Sequence, residues 1–135
     1  MPDYSVKCID DMQAHARGSF KLARAELGVT AFGIQVIDMP PGIEAYPEHD
    51  HSHDGQEEVY LVIRGGGEIE IEGERHPLDP DTMVRVAAGT KRKVYPGDEG
   101  IRCVVVGGVP GSAYEVRDFT ELGAPDPFAD LARPN

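Results

Sequence analysis

The chain has 135 residues, 24 of them acidic and 13 basic, for a formal net charge of −11. That length suits one domain, and a hydrophobic content of 40% supports a core, which excludes a wholly disordered chain. The acidic balance argues against a nucleic-acid or anionic-membrane partner, since both need clustered Lys and Arg. No apolar run is long enough to span a bilayer as a helix. The start, Met1-Pro2-Asp3-Tyr4, lacks the basic and apolar regions of a secretory signal. Two distant cysteines, Cys8 and Cys103, make no disulfide framework, so the expected compartment is the cytoplasm.

Val and Ile total 21 against 6 Leu, and Gly and Pro make up 20% of the chain. Branched residues favour pleated sheet, and the turn-formers imply many short strands. In chain order, a polar segment (1–18) carries a short helix around Ile9 to His15. Ser19 to Leu27 reads as strand or helix, and Phe32 to Asp38 as strand. Ile43 to His53 is extended after the Pro40-Pro41-Gly42 turn, and Asp54-Gly55 turns the chain again. Glu58 to Arg64 is apolar on both faces, as in a central strand, and Gly65-Gly66-Gly67 ends it. Glu68 to Glu72 alternates acid and Ile, and Arg75 to Leu78 returns from Gly73. Met83 to Val86, Lys91 to Tyr95 and Ile101 to Val106 are further strands, with turns at Ala87-Ala88-Gly89 and Pro96-Gly97. Tyr114 to Phe119 is the last strand, so the barrel spans 19–119, and a Pro-containing tail (120–135) follows. About ten strands at this spacing predict an all-β antiparallel sandwich or barrel.

Three of the five histidines are His49, His51 and His53. Alternate residues of an extended strand share a face, so the three imidazoles can point one way. Glu57 and Glu58 follow at the head of the apolar strand. Imidazoles with a carboxylate on adjacent strands suit a divalent transition metal such as Fe, Zn, Mn or Ni. A solvated polar loop is the plainer reading of the same residues. The acids Glu68, Glu70, Glu72 and Glu74 read as a solvated face, and Cys103 as a packing residue.

The stretch from Pro41 to Gly67 resembles the first motif of the small single-domain cupins, G-x5-H-x-H-x3,4-E-x6-G. Glu58 followed by Gly65 matches its second half, and His51, His53 and Glu58 match its middle. Gly42 stands one residue too far from His49 and three too far from His51. The Gly side therefore favours His49 and His51, with a loop insertion at Asp54-Gly55. The Glu side favours His51 and His53. The second motif, G-x5-P-x-G-x2-H-x3-N, departs from the pattern: Ala87 stands for the Pro, Pro96 for the Asn and Arg92 for the His. The resemblance covers roughly residues 30–107. It implies a small antiparallel double-sheet jelly-roll barrel, an interior metal and frequent homodimerisation.

Arg92 bears on the metal, because a guanidinium stays protonated and offers only donors. A +1 and a +2 charge about 5 Å apart repel by roughly 6–7 kcal/mol at an effective dielectric of 20. Arg92 then either stands off as a clamp for an anionic substrate group, or pairs with Glu58 or Glu57 in a metal-free pocket, or points outward with Lys91 and Lys93. Tyr60 shares strand parity with Glu58, so Tyr60, Glu57 and Arg92 are the candidate substrate-binding residues. The expected function is metal-dependent binding or conversion of a small organic molecule, an anionic one if Arg92 clamps it, as an oxygenase or isomerase if an enzyme. The alternative is a metal-free, non-catalytic ligand-binding or sensor protein, with Arg92 paired to a barrel carboxylate.

Overall fold

The computed structural model describes residues 1–44 and 46–128. Its strands are β1 (Ala14–His15), β2 (Phe20–Lys21), β3 (Gly33–Met39), β4 (Glu57–Ile71), β5 (Glu74–Leu78), β6 (Met83–Val86) and β7 (Arg92–Gly108), with one short helix, α1 (Ala23–Leu27). They form a single antiparallel sheet in the order β1-β2-β3-β7-β4-β5, with β6 paired to β4. Among the described residues no helix is long and apolar enough to cross a membrane.

The two long strands organise everything else. The first part of β4 pairs with the end of β7 (Tyr60 opposite Val105), and its last part pairs with the start of β7 (Ile71 opposite Arg92). The first part also carries β6, while the last part carries β5. Ile37, Tyr60, Val62, Val86, Cys103 and Val105 from one half join Ile69, Leu78 and Val94 from the other in one buried cluster. The sheet is therefore doubled over, inner face on inner face. Each fully buried aliphatic side chain in that cluster contributes about 1.5–3 kcal/mol.

The bend comes from glycine. The β4–β7 register shifts between Val62 and Arg64 and again between Gly65 and Gly67. Gly65 has φ +70°, and a Cβ on Gly67 would overlap the Tyr95 carbonyl oxygen and stand 2.9 Å from the Gly97 nitrogen. The three glycines bend β4 without ending it. Pro96-Gly97, expected as a turn, is likewise a point where β7 bends and continues. These two continuities merge four of the expected ten strands into two, and with Ile43 to His53 reduced to a single bridge at His49, Tyr114 to Phe119 irregular and β1 added, seven strands remain among the described residues.

Three other expectations change. The segment from Ser19 to Leu27 is both candidates in turn, strand β2 and then α1, which closes on Gly28 at φ +80°. Ile9 to His15 is a short 3-10 turn (Ile9–Asp11) followed by β1. Tyr114 to Phe119 is not a strand, because it meets no sheet edge. It runs irregularly into a 3-10 turn, Asp118–Thr120. The tail expected over 120–135 lies partly outside the described residues.

Cys103 sits in the core, where burial pushes its thiol pKa up to about 12, and Cys8 is exposed. A thiol reagent at mildly alkaline pH should therefore label Cys8 rapidly and leave Cys103 untouched until the protein is unfolded. Rapid labelling of both, read by mass spectrometry, would contradict this packing.

Candidate metal and ligand site

The segment before β4 lies along the open edge of β7. His49 and Arg92 exchange backbone hydrogen bonds of 3.0 and 2.9 Å, and the His51 amide donates to the Ala88 carbonyl at 2.6 Å. Two such anchors hold His49 and His51 in an extended stretch, so both rings take the same side. The side they take faces Glu58 on β4. One donor atom from each of His49, His51 and Glu58 lies within 4.8 Å of the others.

The ring tautomers follow from what surrounds them. His49 Nδ1 lies 3.1 Å from the Pro47 carbonyl oxygen, which can only accept. That nitrogen carries the proton and Nε2 is left with its lone pair. His51 Nδ1 lies 3.1 and 3.2 Å from the two carboxylate oxygens of Asp54. Asp54 is itself held by the Gln56 amide at 3.1 Å, the Gln56 side chain at 3.1 Å and Arg117 at 2.6 Å. His51 Nε2 then faces Glu58 Oε1 at 3.1 Å. A lone pair facing a carboxylate oxygen at that distance is repulsive unless a cation, either a proton or a metal ion, is shared there.

Glu58 gathers the rest. Its Oε1 also accepts from the Tyr60 hydroxyl at 3.0 Å and from Arg92 Nη1 at 3.0 Å. Arg92 is fully buried, and its Nη2 donates to the Ala87 carbonyl at 2.8 Å. Burial raises the Glu58 carboxyl pKa, yet the His51 hydrogen bond and the charges of His51 and Arg92 hold it below the usual value. Burial also pushes His51 down, but hydrogen bonds and charge from Glu58 and Asp54 outweigh it and leave its pKa raised. His49 is lowered, chiefly by burial. Tyr60 is fully buried and pushed well up by that burial, so it stays a neutral donor to Glu58.

The expected site residues thus separate. The structure brings together His49, His51, Glu58, Tyr60 and Arg92. It does not bring in Glu57, which neighbours Glu58 but points to the other face of β4 and pairs with Arg85 at 2.7 Å. His53 stands apart from Glu58. Its side chain is 55% exposed and lies 3.5 Å from Asp54. It belongs to a second trio, His51, His53 and Asp54, on the outer side of the His51 ring. Arg92 meets Glu58, as in the pairing expected for a metal-free pocket, and does not line the adjoining cavity.

That cavity has a volume of about 340 Å³ and is lined by His49, His51, His53 and Glu58. Asp54, Tyr46, Arg117 and Gln35 also line it, and the sequence reading singled out none of them. Asp54 was legible only as a turn residue. Gln35 did leave a signal, a lone amide at the same strand parity as buried Ile37.

A family model described as a cupin domain matches residues 35–107, more than half of the chain. The chain belongs to the cupin family. Among solved structures, this cupin is similar to a cupin protein from Bacteroides fragilis, at 21% identity, with a TM-score of 0.67 over 87% of this chain and 93% of that one. It is similar to a DMSP lyase from Ruegeria pomeroyi, at 25% identity and a TM-score of 0.53 over 68% of this chain. This chain spans only 45% of the length of that lyase. The cupin domain of an XRE family transcriptional regulator from Enterobacter cloacae is 26% identical, with a TM-score of 0.51 over 62% of this chain and 86% of that one. No curated protein matches the sequence. The cupin scaffold therefore serves both an enzyme and a regulator's domain among these relatives, as expected of a fold that hosts many functions.

Proposed function

We propose that this cupin binds a divalent transition metal through His49 Nε2, His51 Nε2 and the Glu58 carboxylate, and receives a small organic molecule in the adjoining cavity. The observation that carries this reading is the anchoring of both imidazoles. Each is held at Nδ1 by an oxygen, Pro47 or Asp54, and each turns Nε2 toward the same carboxylate. An outer carboxylate on a ligating imidazole fixes its tautomer and raises its basicity. Two imidazoles and one carboxylate are a donor set for Fe, Zn, Mn or Ni. Such a metal supplies Lewis acidity toward a ligand oxygen when bound. Arg92 and Tyr60 do not touch the ligand in this reading. They hold Glu58 through Oε1, the same oxygen that faces His51.

A second reading rests on the 3.0 Å contact between Arg92 and Glu58. The guanidinium already compensates the carboxylate, and a proton on His51 Nε2 completes the cluster. The cavity then binds its ligand without metal.

Protein purified without a His tag, stripped with chelator and titrated with Zn²⁺, Mn²⁺, Ni²⁺ or Fe²⁺, separates the two. One tight equivalent is expected, with stoichiometric uptake abolished in His51→Ala. Asp54→Asn should weaken binding by about 10–100-fold, the usual effect of losing an outer partner. Substoichiometric uptake by the wild type would favour the metal-free reading. Metal needs the neutral ring. Since the His51 pKa is raised from 6.5, metal affinity should rise with pH and keep rising above 6.5, with a proton released on binding. A flat affinity across that range, measured by calorimetry in two buffers, would contradict the assignment of His51.

A further inference from the structure

We propose that the cavity takes a small, uncharged, mostly apolar molecule bearing one hydrogen-bonding group, and that Gln35 receives this group. The inference rests on the proposal above only in using the same cavity as the ligand site.

Strand register places the two ends. Gln35 on β3 lies opposite Val105 on β7, which lies opposite Tyr60 on β4. Gly33, Gly107 and Glu58 form the next row. Directly opposed residues and those two along share a face, so Gln35 and Glu58 stand on one inner surface, two strand spacings across and two residues along, or roughly 12 Å apart. The absence of a side chain at Gly107 lets the Gln56 amide oxygen lie there, 2.6 Å from where a Cβ would be, and Tyr114 packs against Gly33, its hydroxyl 3.0 Å from where a Cβ would be.

Gln35 is out of place as a packing residue. Its neighbours on that face, Ile37 and Val105, are buried and apolar. Its Oε1 is buried with no hydrogen-bond partner among the described residues. An unpaired buried amide lowers stability where an aliphatic side chain of similar size would not. Such exceptions call for an explanation, and a ligand group supplies one, since an amide can either accept or donate.

The walls select the rest of the molecule. Phe20, Tyr46, Phe119 and Phe128 line the cavity. Arg117, its one lining guanidinium among the described residues, is engaged by Asp54 at 2.6 Å. Asp50, Asp54 and Glu58 also line the space, so in the metal-free protein a free anion meets more carboxylate than cation. A volume of about 340 Å³ is at the low end of the roughly 300–1,000 Å³ range of small-molecule sites.

The test uses benzyl alcohol, benzoate and toluene as probes, with binding followed by ligand-observed NMR on chelator-treated and metal-loaded protein. On the chelator-treated protein, benzyl alcohol is expected to bind more tightly than benzoate. Gln35→Leu should weaken benzyl alcohol about three- to tenfold, the effect of one hydrogen bond, and leave toluene unchanged. The same variant should melt a few degrees higher, because an unpaired amide has been removed. A purely structural glutamine would not combine lost affinity with gained stability. Tighter benzoate binding to the chelator-treated protein, no detectable benzyl alcohol binding, or wild-type affinity in Gln35→Leu would overturn the proposal. Metal uptake is measured on the same samples. Its failure with the alcohol pattern intact would sink the metal reading and leave this one standing.

Discussion

Glu58→Gln is expected to destabilise the metal-free protein by about 3–5 kcal/mol, the usual result of removing one partner of a buried ion pair. Arg92 has no exposed surface and sits 3.0 Å from Glu58. Its charge stays when the carboxylate is neutralised, and its Nε already lacks a partner among the described residues. The Ala87 carbonyl alone cannot compensate a guanidinium. The double variant Glu58→Gln/Arg92→Met should recover most of the loss, since replacing a buried pair by neutral groups of similar volume is often neutral. Urea unfolding of the four proteins measures the coupling directly. Additive effects would show that the two side chains do not compensate each other. The cycle also bears on function. If Arg92→Met alone keeps the metal bound in place while Glu58→Gln loses it, Arg92 positions the carboxylate and is not required for the cation.

Gly67→Ala is expected to abolish folding to the native state. The added methyl would fall on the Tyr95 carbonyl, which is backbone and cannot rotate away. Tyr95 is fixed in β7 opposite Glu68, and Pro96 opposite Gly67 itself, so relief requires separating β4 from β7 at the bend. Effects above about 4 kcal/mol are exceptional and come from such overlaps, and a domain of this size has only about 5–15 kcal/mol in hand. Gly73→Ala is the control, with φ +84° but open space around the missing Cβ. It should cost about 1 kcal/mol. Circular dichroism and melting temperature distinguish the two. A folded Gly67→Ala protein with a near-native melting temperature would show that the bend is not built on this approach.

The strands with clear apolar patterning, Phe32 to Asp38, Glu58 to Arg64 and Ile101 to Val106, were legible because alternation and branched residues report a half- or doubly covered sheet directly. The continuity of β4 through Gly65-Gly66-Gly67 was not. A glycine run that ends a strand and one that bends it look alike in sequence, and only the crossing with β7 distinguishes them. For the same reason Pro96-Gly97 read as a turn. In the site, His51 and Glu58 were legible from spacing and parity. The choice between His49 and His53 was not, since it depends on which residue meets the backbone of Arg92 across the fold. Glu57 could be separated from Glu58 only by strand parity, which sends the two carboxylates to opposite faces. Gln35 and Arg117 reach the cavity from distant parts of the chain, and no local motif announces them.

The pairing order has a consequence for synthesis. β7 lies between β3 and β4 in the sheet yet follows both in the chain. Until residues 92–108 have left the ribosome, β3 has no partner on that side, and β4 lacks its longest one. A nascent chain ending before Arg92 therefore holds the apolar inner faces of β3 and β4 with nothing to join them. Exposed strands of this kind are where aggregation starts. Domains built on such distant pairings fold in milliseconds to seconds. Neither half of this cupin can therefore complete its pairing before β7 is available, and a chain truncated before Arg92 should yield aggregate and no half-formed domain.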